Sequence, residues 1–198
     1  MNIKQFIGIL MGLVLTLNIT AQSNPLGLKV GSKLTYSVNQ DRRDFDMVVV
    51  VKAIDDKGIT LSWQNPNLKT KGNIALTSLA LASAKRLFMN FTNGVTTKKD
   101  NLVTFFLPTT SFKELKTSGK TDIFLEQNKQ PTAFKLYMTR NYDVKINGNI
   151  QQFQALLGLN QDNADHPKVI MPLDYETFPI LLGMDWDYRI ALKAVDNP

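Results

Sequence analysis

The chain has no cysteine. That single absence excludes disulfides, thiolate metal sites and a thiol nucleophile. Histidine is almost absent as well. His166 stands alone, and zinc, which draws mainly on Cys and His, finds no donor set here. No Gly-x-Ser-x-Gly elbow occurs to expose a serine nucleophile. Charge of one sign never runs in blocks. Lys and Arg number 23 against 17 Asp and Glu, a net of +6, yet Asp41-Arg42-Arg43-Asp44 balances itself and Lys98-Lys99 is followed by Asp100. A nucleic-acid surface shows a basic stripe, often with aromatic platforms between the charges. None is present, so no nucleic-acid partner is expected. The mild basic excess suits anionic head groups or acidic glycans, or a plain solvated surface.

Long apolar runs are absent except for one. Met1-Asn2-Ile3-Lys4-Gln5 precedes a stretch from Phe6 to Leu17 that is apolar but for Thr16, and Asn18-Ile19-Thr20-Ala21-Gln22-Ser23 comes next. A charged start, a short apolar core and a small-residue exit are the three parts of a secretory signal peptide. The core falls short of the roughly 20 residues that a spanning helix needs. Cleavage after Ala21 or after Ser23 fits the exit. Ala21 is favoured, because the Ala21-Gln22 junction resembles those of exported proteins from Gram-negative bacteria. The expected organisation is a signal peptide at 1–21 and a single β-rich domain at 22–198, with no membrane span once the leader is removed. Without cysteine the mature chain cannot carry lipid at its N-terminus, and it lacks the disulfides on which small secreted animal domains lean. The expected location is the periplasm, the cell surface or the medium of a Gram-negative bacterium. In that setting the Asn90-Phe91-Thr92 glycosylation triplet carries no meaning.

Period-two alternation dominates the rest of the chain. Leu34, Tyr36 and Val38 alternate with polar residues; Phe45, Met47, Val49, Val51 and Ala53 share a strand face, and so do Ile59, Leu61 and Trp63. The turn Asp55-Asp56-Lys57-Gly58 joins two of these segments into a hairpin. Further strands are expected at 95–97, 102–107, 120–126, 131–139, 142–146, 149–155 and 168–173, with Asn147-Gly148 as the strongest hairpin signal. Met184, Trp186, Tyr188, Ile190, Leu192 and Ala194 predict one long closing strand. The stretch 156–167 reads as a loop. Helical spacing appears at Leu76, Leu79, Ala80, Ser83 and Leu87, which predicts the main helix at about 77–89, capped by Thr77 or Ser78. The capping box Ser111-Phe112-Lys113-Glu114 predicts a short helix at about 112–116, ended by Gly119. The expected fold is mainly β with minor α: an antiparallel barrel or half-barrel of about ten strands, curled around or beside the main helix. A transmembrane barrel would alternate in the same way, but the mid-chain helix and the ending Val195-Asp196-Asn197-Pro198, without a terminal aromatic strand, argue against it.

The residues that might carry chemistry are few. Asn160, Asp162 and Asp165 lie in an oxygen-rich loop beside His166 and offer hard-cation ligands, but the spacing matches no EF-hand. Asp185 and Asp187 would sit about 6.5 Å apart on one strand face, and Asp174 and Glu176 pair in the same way. Glycoside hydrolysis asks for two carboxylates roughly 5–9 Å apart. Both aspartates of the first pair nonetheless fall on the polar face of an amphipathic strand, where charge is expected anyway. Trp63 and Trp186 could stack on sugars, but they lie on apolar faces and read as core. No catalytic, cofactor-binding or metal-ligating residue is assigned, and no cofactor is expected.

Segments 31–38 and 178–194 resemble the opening and closing strands of uncharacterised exported bacterial β-rich proteins. The resemblance implies a β-rich exported fold and no particular activity. The overall plan also looks like that of exported carriers of lipids and other apolar ligands. The leading expectation is therefore an exported envelope protein that holds a lipid or apolar small molecule in a curled sheet. The alternative is a structural or protein-interaction module with another envelope protein as partner. A hydrolase is the reading with least support.

Overall fold

The computed structural model describes residues 24–40, 42–88, 94, 96–126, 128–162, 168–174, 179–186 and 188–198, with backbone placement alone at 96–99. The signal segment and the Asn90-Phe91-Thr92 triplet therefore lie outside the described residues. No helix among the described residues is long and apolar enough to cross a membrane.

The strands are β1 (Lys33–Gln40), β2 (Arg43–Asp55), β3 (Gly58–Asn65), β4 (Thr70–Thr77), β5 (Arg86–Leu87), β6 (Thr96–Lys99), β7 (Leu102–Val103), β8 (Lys120–Leu125), β9 (Thr132–Ile146), β10 (Asn149–Asn160), β11 (Lys168–Pro172), β12 (Gly183–Asp185) and β13 (Arg189–Asp196). The helices are α1 (Ser78–Ser83) and α2 (Thr109–Ser118). The β-rich class is as expected, with 13 strands among the described residues where about ten were predicted. They hydrogen-bond in the order β6-β4-β3-β2-β1-β13-β12-β11-β10-β9-β8-β5-β7. The sheet does not close as a whole. β9 also meets β13 in a short parallel pairing, Ala194 with Lys145 and Val195 with Ile146. That contact bends β9 to β13 into a partial ring and leaves two open wings, β1–β4 with β6 on one side and β8, β5 and β7 on the other.

The predicted alternation produces the core. Leu34, Tyr36 and Val38 of β1 are buried, as are Met47, Val49 and Val51 of β2 and Ile59, Leu61 and Trp63 of β3. From the helices, Ala80 and Leu81 of α1 and Phe112 and Leu115 of α2 join them. α2 packs on β8 and β9, and α1 on β3 and β4. Two irregular segments complete the filling. Leu107 N–H donates to the Pro179 carbonyl at 2.8 Å, Leu181 N–H donates to the Phe105 carbonyl at 2.7 Å, and Phe106 bridges Ile180. Phe105, Phe106 and Leu107 meet Ile180, Leu181 and Leu182 there, all fully buried. Tyr36 stacks on Phe105 at 5.1 Å between centroids. The space under the helices is thus packed with side chains.

Several expectations are corrected. The helix expected at 77–89 spans only Ser78–Ser83, although Thr77 caps it as predicted by accepting from the Ala80 N–H. Ala84 is extended at ψ 149, and Arg86-Leu87 pair with β8 and β7. Strand pairing satisfies backbone groups that a short helix would leave open, and tertiary context overrides helical spacing. Leu76 belongs to β4, a strand the sequence did not signal. The helix expected at 112–116 is longer, Thr109–Ser118, and Pro108 is its N-cap with no side-chain cap bond. Ser111 is no cap: it lies inside α2 and is buried, while Glu114 accepts from the Thr121 hydroxyl at 2.8 Å. The predicted strands 131–139 and 142–146 are one strand, β9. The predicted loop 156–167 begins as strand, since β10 continues to Asn160, and residues 163–167 lie outside the described residues. The closing strand is a hairpin. Met184 pairs with Ile190 and Asp185 with Arg189, so the alternation of Met184 and Ile190 comes from two antiparallel strands. A register shift between Thr35 and Tyr36 leaves Lys193 without an opposite residue on β1. That bulge turns Val195 inward in place of Ala194, which is only half-buried.

Candidate functional site

Among the described residues, a semi-open cleft of about 580 Å³ is lined by β9 to β13, the five strands of the partial ring. Period two explains why it is open. In β11, Val169 and Met171 point into the core while Lys168 and Ile170 face the cleft. In β10, Leu156 belongs to the core while Leu157 and Leu159 line the cleft. Gly158 points the other way, and a Cβ there would stand 3.1 Å from the side chains of Leu115 on α2 and Val169. The β10 segment is therefore apolar on both faces, one for the core and one for the cleft.

The cleft is shaped by one further small residue. A Cβ on Gly183 would stand 3.2 Å from Ile170 Cδ1, and both residues line the cavity. Ala191 of β13 lies opposite Gly183 in the β12–β13 hairpin. On β9, Tyr142 reaches across to β12's approach and donates its hydroxyl to the Leu182 carbonyl at 2.8 Å. Burial raises the pKa of this phenol, and the neighbouring Arg140 charge lowers it in part. The Arg140 guanidinium lies 5.9 Å from the centre of the Tyr142 ring. Among the described residues the charged lining is Arg140, Lys168, Asp185 and Arg189. Arg189 donates to Asp185 from Nε at 3.2 Å and from Nη2 at 2.9 Å.

Of the acids singled out in the sequence, Asp185 is placed here, held by Arg189 as a cross-strand ion pair. Asp187, Glu176, Asp165 and His166 lie outside the described residues, so neither acid pair is assembled in view. Asn160 accepts from the Asp162 N–H at 3.1 Å, a local turn contact. Among the described residues no three His, Asp or Glu side chains converge as metal ligands. Trp63 is buried at 4% exposure, as core. Trp186 is only half-buried and lines a smaller adjoining cleft of about 420 Å³ with Tyr188, Asp44 and Ser37. The cleft residues on β9 and β10 escaped the sequence reading. Their one visible signal was the run Leu156-Leu157-Gly158-Leu159, too apolar for a surface loop.

No protein-family model matches the chain, and neither a curated protein nor a solved structure matches it. The site thus stands on its own geometry.

Proposed function

We propose that this is an exported envelope protein that binds a lipid or another apolar ligand in the cleft of the β9–β13 ring. The observation that carries the reading is a cavity of about 580 Å³ faced by Leu157, Leu159, Ile170, Met184 and Ala191. Small-molecule pockets run from about 300 to 1,000 Å³, with mostly apolar walls and a few placed polar groups. Export is the reading that the charged start, short apolar run and small-residue exit at 1–21 support. Native mass spectrometry of protein purified without detergent tests binding: an adduct of lipid mass is expected. A Gly183→Leu variant, whose side chain would occupy the floor beside Ile170, should lose the adduct while keeping its far-UV circular dichroism. Wild-type protein that carries nothing and takes up no fluorescent acyl probe would refute the reading.

One observation favours a second reading, a protein-interaction module. β8 pairs with β9 only at residues 132–135, and β13 only at 145–146. Between them no described strand covers that edge of β9, and Tyr137 and Met138 beside it are exposed at 62% and 42%. An uncovered edge invites strand addition. Crosslinking from position 138 to one specific protein, with an empty cleft, would favour this alternative.

A further inference from the structure

The cleft's charges are unevenly distributed, and this narrows the ligand. The register sets them in two places. Lys168, Asp185 and Arg189 form one row across β11, β12 and β13. There one carboxylate stands between two cations. Arg140 lies elsewhere, opposite Ala155 of β10, whereas Lys168 lies opposite Leu159. Those positions lie four steps apart on β10, about 13 Å along a strand. Leu157 and Ile170 occupy the interval. Arg140 is exposed and has no acidic partner among the described residues, its neighbour in the cleft being the Tyr142 ring. The cleft is thus a strip of apolar wall with a free guanidinium at one end and a partly neutralised charge row at the other.

Resting on the reading of this cleft as a ligand site, we propose that its ligand is a long-chain carboxylate, with the head group on Arg140 and the chain along Leu157 and Ile170. Charge complementarity selects an anion, since among the described residues three cations face one acid. Arg140 receives the head, because Asp185 opposite Lys168 would repel a carboxylate at the other end. Among the described residues the neutral polar side chains of the lining are Tyr137 and Tyr142, and the Tyr142 hydroxyl already donates to the Leu182 carbonyl. Hydroxyls of a glycerol-bearing head would find few neutral partners for the water they lose, whereas a bare carboxylate asks only for the guanidinium.

Calorimetry tests this with dodecanoate, dodecan-1-ol and dodecyl phosphate, on detergent-free protein from cells expressing the full chain. Dodecanoate should bind about tenfold tighter than dodecan-1-ol at low salt, a preference that shrinks as salt is added. Arg140→Gln should erase that preference, chiefly by weakening dodecanoate; Lys168→Gln should leave the preference intact. Equal binding of acid and alcohol would overturn the head-group assignment while the cleft reading survives. Tighter binding of the phosphate would overturn the carboxylate, and a preference lost in Lys168→Gln but kept in Arg140→Gln would overturn the placement. If neither chain binds folded wild-type protein, both the cleft reading and this inference fall together.

Discussion

Tyr36 is the residue at which burial bears most directly on stability. It is fully buried, it stacks on Phe105, and its hydroxyl donates to the Leu181 carbonyl at 3.2 Å. Burial pushes its phenol pKa far up, with a smaller contribution from Tyr142. The sign of the consequence is set by linkage. In the unfolded chain a tyrosine ionises near pH 10; in the fold it stays protonated. Above about pH 10 the unfolded state therefore holds fewer protons than the native one, and stability falls as pH rises. Urea midpoints measured from pH 8 to 11 should drop in wild type and drop less steeply in Tyr36→Phe. Equal slopes would mean that Tyr36 ionises in the fold as freely as in water. At pH 7 the same variant should lose about 1 kcal/mol for the missing hydrogen bond. Gly58 is a residue of another kind. Its φ of +135 is open to glycine alone, and a Cβ there would lie 2.0 Å from the Leu76 carbonyl oxygen. Gly58→Ala should cost about 2–4 kcal/mol in chemical denaturation, since neither the backbone of β4 nor the turn can yield cheaply.

At the scale of elements, α1 shows what local pattern can and cannot specify. Leu79, Ala80 and Ser83 have helical spacing and Thr77 does cap them, but Leu79 ends 62% exposed and the helix stops after one and a half turns. What ends it is distant in sequence. Arg86 is laid flat in β5, its guanidinium 4.9 Å above the Phe124 ring, donating to the carbonyls of Glu126 and Asn128. Those contacts join residues about forty positions apart, which no window on 77–89 could contain. Arg86→Ala should cost about 1–2 kcal/mol and loosen the turn after β8, read as faster amide exchange at Glu126 and Asn128. Unchanged exchange at both amides would show that β5 holds without the arginine. The same division between local and distant signals holds elsewhere. The meander β1–β3 was legible because short turns and clean alternation are local. So was the hairpin at Asn147-Gly148, whose φ angles of 46 and 85 suit its tight turn. The β12–β13 hairpin was not legible, because two antiparallel strands can imitate one alternating strand when the paired residues lie an even number of positions apart, as Asp185 and Arg189 do. The cleft was not legible either. Its residues alternate like any half-buried strand, and only the ring closure gives their outer faces a concave surface.

Closure of that ring is a property of the whole molecule, and it rests on few groups. β13 and β9 share only Ala194–Lys145 and Val195–Ile146 as paired positions, and Asn147 N–H adds a bond to the Val195 carbonyl at 2.9 Å. Beside this seam, Asn197 ties three parts of the chain together. Its side chain accepts from the Ser32 hydroxyl and donates to the Leu26 carbonyl at 2.9 Å, while its backbone N–H donates to Asn147 Oδ1 at 2.6 Å. The N-terminal loop, the β9–β10 turn and the end of β13 are thus held by one residue. Asn197→Ala keeps the backbone bond and loses the other two, so it should destabilise by about 1–3 kcal/mol. Asn147→Gly keeps the positive φ of the turn and loses the third bond, with a smaller cost of about 1 kcal/mol. Because the two variants act on one seam, their costs should not add, and the double mutant should fall short of the sum by about 0.5 kcal/mol or more. Hydrogen exchange supplies the spatial readout. Amides of Lys145 and Ile146 should lose protection in Asn197→Ala, while those of the β2–β3 hairpin keep theirs. If protection fell equally in both places, the seam would be no separate unit, and the ring would owe its closure to the packed core beneath it.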